Sequence, residues 1–501
     1  MLFTQFQFMF IFLPITLLGY FFLSRYHNSA LRVAWLGLTS LFFYAYWDIQ
    51  FLPIMLASIF FNYAISYPIT NTSYSLRKRK TYLSLAVLAN LGTLFYYKYA
   101  SLAFHIFNKM NHNRYEELSI LLPIGISFFT FTQIAYLVDV YRGKPSERHF
   151  LKYILFVTFF PHLIAGPILH HSEMMPQFGS EESRRFSFDK MALGLTIFAL
   201  GLFKKLMIAD NFSLLANPIF NAAGNGAIAG SDAWIGALSY SLQIYFDFSG
   251  YSDMAIGLSV LFGIRLPFNF DSPYKSKSII EFWRRWHITL SRFLRDYLYI
   301  ELGGNRKGTI ARYGNLMLTM ILGGLWHGAG YTFLIWGFLH GFYLMVNHFW
   351  RHLCKKLPPV LKFSEKLLWK VAMLLLTQFA VVIAWVFFKA NNFRVASSML
   401  KGMLGMGSSP DTHIVSGDLH YTVAYITAGY LICIALPNLK EVFEKYATGL
   451  SVYSNPRNWS VTAIRWNPTL SWALITAFCL LTGIAMNLIM GDRTPFLYFQ
   501  F

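Results

Sequence analysis

Long apolar runs, separated by short basic loops, repeat along the whole chain. Runs of membrane length lie near residues 4–24, 30–47, 51–70, 82–98, 119–140, 190–209, 233–264, 313–327, 331–350, 367–389, 421–439 and 471–490. A bilayer crossing takes roughly 20 apolar residues in a helix, and lipid cannot satisfy exposed backbone groups, so the runs predict helices and not strands. The pattern predicts an all-α, polytopic integral membrane protein with roughly 11–12 transmembrane helices. A further run, 151–169, is interrupted by Pro161 and Pro167 and predicts a re-entrant piece. If that piece does not cross and the amino terminus is outside, the basic loops around 25–32, 77–80, 142–152 and 265–312 all fall on the cytoplasmic face. The first 25 residues carry neither a basic leader nor a small-residue cleavage site, so they are expected to stay as the first span. The whole of 1–501 is expected to be one membrane-embedded unit: amino-terminal helices over 1–141, a core over 142–350 and carboxy-terminal helices over 351–501.

Composition narrows the class. Hydrophobic residues make up 55% of the 501 and charged residues 13%, about half the share usual in soluble domains. The net charge of +19 would suggest nucleic acid in a soluble chain. Here Lys and Arg cluster in loops, where they set topology and meet anionic lipid or a phosphorylated ligand, so no nucleic-acid partner is expected. Three widely spaced cysteines, Cys354, Cys433 and Cys479, form no disulfide framework and no metal motif. No transporter-type internal repeat is visible.

Polar residues inside apolar runs carry the candidate chemistry. The stretch LGGLWHGAGYTF (322–333) places His327 inside 38 residues, Tyr313–Trp350, that lack Asp, Glu, Lys and Arg. A lone histidine on an apolar helix is ordinarily a core residue bonded to a neighbour. Position argues for more. The 15-residue arm 313–327 spans roughly 22 Å against a hydrocarbon core of ~30 Å, so His327 stops short of the outer surface. Gly328 and Gly330 break the helix beside it, and a broken helix at membrane depth lines protein or a water-filled cavity. An imidazole on such a cavity floor can exchange a proton near neutral pH.

A second group is EFWRRWHITLSRFLRDYLYI (281–300). At 100° per residue Trp283, His287, Leu290, Leu294 and Tyr297 share one face, opposite Arg284, Arg285, Arg292 and Arg295. The spacing predicts one amphipathic helix on the cytoplasmic side, its arginines on lipid headgroups or on the phosphates of a nucleotide-bearing donor. His287 falls on the apolar side, where an imidazole without a use is costly. Asp247 and Asp253, in YFDFSGYSDMAIG, suit caps or salt bridges better than a paired-carboxylate site. Asp139 and His162 carry the same structural expectation. His170 and His171 precede a polar loop and are expected to be solvated; no metal site is expected. None of the common soluble-enzyme motifs occurs.

Four blocks taken in order, FPHLIAGPI (160–168), FDFSGYSDMAIGLSVLFGIRLPFNFDSPY (246–274), EFWRRWHITLSRFLRDYLYIELGGNR (281–306) and LGGLWHGAGYTFLIWGFLHG (322–341), resemble the membrane-bound O-acyltransferase (MBOAT) family. More narrowly they resemble its bacterial alginate O-acetyltransferase branch, which FLPITLLGYFFLS and FFYAYWDIQFLPIMLASIFFNY also fit. The resemblance implies re-entrant and interfacial helices around a central tunnel, with a thioester donor entering from the cytoplasm and a hydroxyl acceptor from outside. The family's essential intramembrane histidine maps onto His327, as general base or transient acyl carrier. A second polar family position maps onto His287, 40 residues earlier. Trp283, Arg284, Arg285 and Trp326 become the candidate donor-binding set. The resemblance further implies acetyl-CoA or another acyl thioester as donor, with no permanently bound cofactor. It implies a periplasmic acetyltransferase as relay partner, an exported polysaccharide such as alginate as acceptor, and residence in the bacterial inner membrane. Two alternatives stand beside this: D-alanylation of teichoic acid or acetylation of another glycan, and, in another class, a transporter or flippase for a lipid-linked sugar.

Overall fold

The computed structural model describes residues 1–26, 28–111, 120–145, 148–356, 366–407, 414, 418–446, 449–450, 464–490 and 496–497. They form helices and turns. α1 (Leu13–Leu23) continues from a π-helical turn at Gln7–Phe12 and is followed by α2 (Ser29–Ala45), α3 (Leu52–Thr70), the long α4 (Leu76–Met110) and α5 (Ile126–Tyr141). Single turns and short pieces come next: α6 (Phe150–Thr158), α7 (Phe160–Leu163), α8 (His171–Met174) and α9 (Glu181–Arg184). α10 (Phe188–Phe203) runs through a π turn into α11 (Asp210–Ala222), and α12 (Gly230–Leu261) returns beside them. Then follow α13 (Ile279–Arg285), α14 (Ile288–Leu294), α15 (Gly308–His327), α16 (Tyr331–Lys356), α17 (Leu367–Lys389), α18 (Phe393–Met403), α19 (Leu419–Ala435), α20 (Leu439–Val442) and α21 (Leu470–Met490).

Among the described residues four stretches are long and apolar enough to cross a bilayer: Ile49–Thr70, Phe188–Ala222, Leu367–Lys389 and Leu470–Ile489. Gln7–Leu23, Ser29–Ala45, Ile126–Tyr141 and Leu419–Ala435 are apolar but shorter. Other expected runs are helical but too polar for that description. α12 is the clearest case: Asp232, Asp247 and Asp253 lie on a helix buried along nearly its whole length. The 151–169 run breaks as its prolines predict, into α6 and α7; the nine residues of α6 reach roughly 14 Å. Of the expected basic loop 142–152, residues 146 and 147 lie outside the described residues.

α12 is the hub. α10, α11, α17, α18 and α19 pack around it. At the α10–α12 crossing glycines face one another in two pairs: a methyl on Gly194 would sit 2.8 Å from the Gly257 carbonyl oxygen, and one on Gly201 2.7 Å from that of Gly250. Only hydrogen fits between these backbones, the small-residue packing that membrane helices use where hydrophobic drive is weak. The two aspartates in the middle of α12 form the expected salt bridges: Asp247 with Lys205 at 2.6 Å and Asp253 with Lys204 at 2.6 Å. Asp210 completes the Lys205 cluster at 2.8 Å.

His170 and His171 depart from expectation. Both are buried, their Nδ1 atoms 3.5 and 3.6 Å from the fully buried Asp139 carboxylate, which Lys144 also meets at 2.9 Å. The carboxylate lies some thirty residues upstream, and only the folded chain brings it to them.

Candidate active site

α15 and α16 form a hairpin held close by glycine. A methyl on Gly324 would strike the Phe333 carbonyl, and one on Gly337 the Met320 carbonyl. α15 stops at His327, the chain turns through 328–330, and α16 starts at Tyr331. His327 therefore stands at the broken end of a helix, as the glycines predict. Its ring is 3% exposed and meets three aromatic neighbours: Trp326 at 4.8 Å, Trp336 at 5.1 Å and Phe388 of α17 at 5.0 Å between centroids.

The single amphipathic helix expected over 281–300 does not form. α13 ends at Arg285, Trp286 is extended, and His287 takes the left-handed conformation at φ +41°, ψ +56° before α14 begins. A non-glycine residue held there stores strain of the kind that clusters at functional sites. His287 is buried, its ring edge-on to Phe248 at 4.7 Å. Its Nδ1 lies 3.3 Å from Asn269 Oδ1, an oxygen that also accepts from the Thr289 backbone N–H (3.3 Å) and the Thr289 hydroxyl (2.6 Å). An amide oxygen only accepts, so Nδ1 donates and Nε2 becomes the basic nitrogen of the neutral ring. Thr289 Oγ1 in turn accepts from the Ile168 N–H at 3.0 Å, tying the Pro-interrupted 160–168 segment to the same clamp.

Trp326 bridges the two histidines, 6.3 Å from His287 and 4.8 Å from His327. From it a stack of rings runs outward through Phe131 (5.3 Å), Phe293 (4.3 Å) and Tyr297 (5.0 Å). Trp283 is buried on the other side, its indole N–H donating to His340 Nδ1 at 3.2 Å; His340 lies 4.8 Å from Trp336. The fold thus gathers His287, His327, Trp283 and Trp326. It sets the two arginines apart. Arg285 is buried and neutralised by Glu281 at 2.9 Å, with a further bond to the Asp271 carbonyl at 3.0 Å. Arg284 is exposed. Three residues of this neighbourhood escape sequence reasoning. Asn269 sits in a loop 18 residues before His287. His340 hides in the charge-free stretch already marked by His327. Lys98, at the end of an apolar run, reaches the carbonyls of Trp326 and, at 3.1 Å, His327.

The model of the membrane-bound O-acyltransferase family matches residues 41–388, more than half of the chain. The chain belongs to the MBOAT family. Every residue named at the site, from Lys98 to Phe388, lies within the match. This MBOAT enzyme is 40% identical to a peptidoglycan O-acetyltransferase of Helicobacter pylori, covering 100% of this chain and 98% of that protein. It is likewise 40% identical to a probable alginate O-acetylase of Pseudomonas putida, with 100% of each chain covered. A teichoic acid D-alanyltransferase of Streptococcus thermophilus matches more weakly, 29% identical over 46% of this chain and 58% of that one. The MBOAT protein is therefore a membrane acyltransferase, and the alternative of a transporter or flippase falls away.

Proposed function

We propose that the protein moves an acetyl group from a cytoplasmic thioester, acetyl-CoA or a similar donor, across the bacterial inner membrane to hydroxyls of an exported polysaccharide. The observation that carries this is His327 at the broken end of α15, ringed by aromatics and joined through Trp326 to a second histidine of fixed tautomer. His327 acts as general base. It takes the proton of the attacking hydroxyl as the new C–O bond forms at the thioester carbonyl; the C–S bond then breaks, and the thiolate leaves with that proton. His287 orients the donor or assists the proton's passage. Trp283 and Trp326 wall the donor's path. The acceptor hydroxyl belongs to the polymer or to a periplasmic acetyltransferase that passes acetyl on, the relay that the resemblance to the alginate O-acetyltransferase branch implies.

The donor's phosphates need cations. Arg285 is already neutralised, which leaves Arg284 and a cleft of about 670 Å³ lined by Arg142, Lys144, Arg306 and Lys307. In the cleft Arg142 pairs with Glu301 and Lys144 with Asp139, whereas Arg306 and Lys307 make no ion pair among the described residues. Tyr297, the outer end of the aromatic stack, forms part of its wall.

One specific observation favours a second acceptor: likeness to the peptidoglycan enzyme runs the full chain and equals likeness to the alginate enzymes. The test is purified wild type and His327→Ala protein, with labelled acetyl-CoA, partner and polymer. General-base loss predicts a fall of about 10²–10⁴ in transfer. A His327→Ala protein that folds normally and still acetylates overturns the proposal. Mass analysis of surface polysaccharide and muropeptides, with and without the gene, decides the acceptor.

A further inference from the structure

Lys98 belongs to α4, in the amino-terminal third of the chain, yet its ammonium group ends at the reacting centre. Nζ donates to the main-chain carbonyl of Trp326 and, at 3.1 Å, to that of His327 itself. The neighbouring Tyr99 hydroxyl donates to the carbonyl of Leu325. These carbonyls belong to the last turn of α15, which has no intrahelical donors to offer them because the chain leaves the helix at Gly328 in an extended conformation. Nζ also lies 6.0 Å over the ring of Trp326, the indole that touches both histidines. Among the described residues no carboxylate pairs with Lys98.

Capping alone does not call for a charge. Tyr99 caps the adjacent carbonyl with a neutral hydroxyl, and a lone ammonium at membrane depth is costly. What a protonated amine adds is a positive charge at the negative end of α15, beside the residue whose imidazole must face a developing oxyanion. We propose that Lys98 is a positioning residue for acyl transfer: its charge locks the broken end of α15, sets the register of His327 and biases the site toward the anionic tetrahedral intermediate. This rests on the general-base assignment made for His327.

The test compares Lys98→Arg, Lys98→Gln and Lys98→Met with wild type in the purified transfer assay, alongside unfolding midpoints. Arg keeps charge and donors, Gln keeps only neutral donors, and Met keeps neither. The expected result is near wild-type kcat for Lys98→Arg and a fall of roughly tenfold to a hundredfold for Lys98→Gln and Lys98→Met, with donor KM unchanged. Wild-type kcat in Lys98→Gln overturns the proposal, as does a loss in Lys98→Arg equal to that in Lys98→Met. Should Lys98→Met fail to fold, the Arg and Gln pair still decides. Absence of transfer in wild type would instead sink the acyltransfer mechanism on which the inference stands.

Discussion

Replacing His287 by glycine and, separately, by alanine separates two accounts of the 281–300 segment by sign. Both substitutions remove the imidazole and its bond to Asn269, so the lost packing and the unsatisfied partner are common to the pair. What differs is one Cβ. On the face of a continuous helix, glycine is about 1 kcal/mol worse than alanine. At φ +41°, ψ +56° the Cβ crowds the following carbonyl and costs roughly 1–2 kcal/mol, so glycine is better by that amount. The two accounts therefore lie roughly 2–3 kcal/mol apart, with opposite order. Reversible unfolding of the two purified proteins in mixed micelles, by denaturing detergent, measures the difference directly. His287→Gly is expected to be the more stable, and both are expected to lose acetyl transfer. If His287→Ala equals or exceeds His287→Gly in stability, the left-handed break is wrong and the helical face is restored.

Asn269→Ala strips the acceptor from three donors, at roughly 1–3 kcal/mol for each left unsatisfied. It should lower both the unfolding midpoint and kcat, and a protein matching wild type in both refutes the clamp. Gly201→Ala should cost about 1–3 kcal/mol, because its methyl would lie 2.7 Å from Gly250 O. An exposed helical glycine would instead gain from the same change, so a rise in midpoint refutes the close crossing. Arg306→Glu with Lys307→Glu should raise donor KM about tenfold at low salt, less at high salt, with kcat unchanged; an unaltered KM removes the cleft from the donor's route.

The apolar runs made the helices legible, because lipid and core both reward the same period. Glycine after His327 announced the end of α15, and the aspartates of α12 announced partners. The break at His287 left no such mark. Trp283, His287, Leu290, Leu294 and Tyr297 keep helical spacing straight through it, and no glycine stands at the left-handed residue. Backbone conformation there is dictated by Asn269 and Thr289, a contact the linear pattern does not contain. His170 and His171 misled for a similar reason: a polar loop follows them, but the carboxylate that holds them inside comes from α5. Arg285 looked available although Glu281 stands four residues before it at the spacing of a helical ion pair; only its second partner, the Asp271 carbonyl, needs the fold to be seen. Lys98 resembled the edge of a span, and nothing in the chain pointed from residue 98 to 327.

The facing glycines have a mechanical consequence. Backbones that touch without intervening side chains leave no compressible layer, so α10 and α12 behave as one stiff post, and α15 with α16 as another. Neither post can splay to admit a ligand without losing its contact altogether. Any movement that uncovers His327 therefore falls to the side chains around it and to α17, whose Phe388 lies 5.0 Å from the imidazole and belongs to neither post.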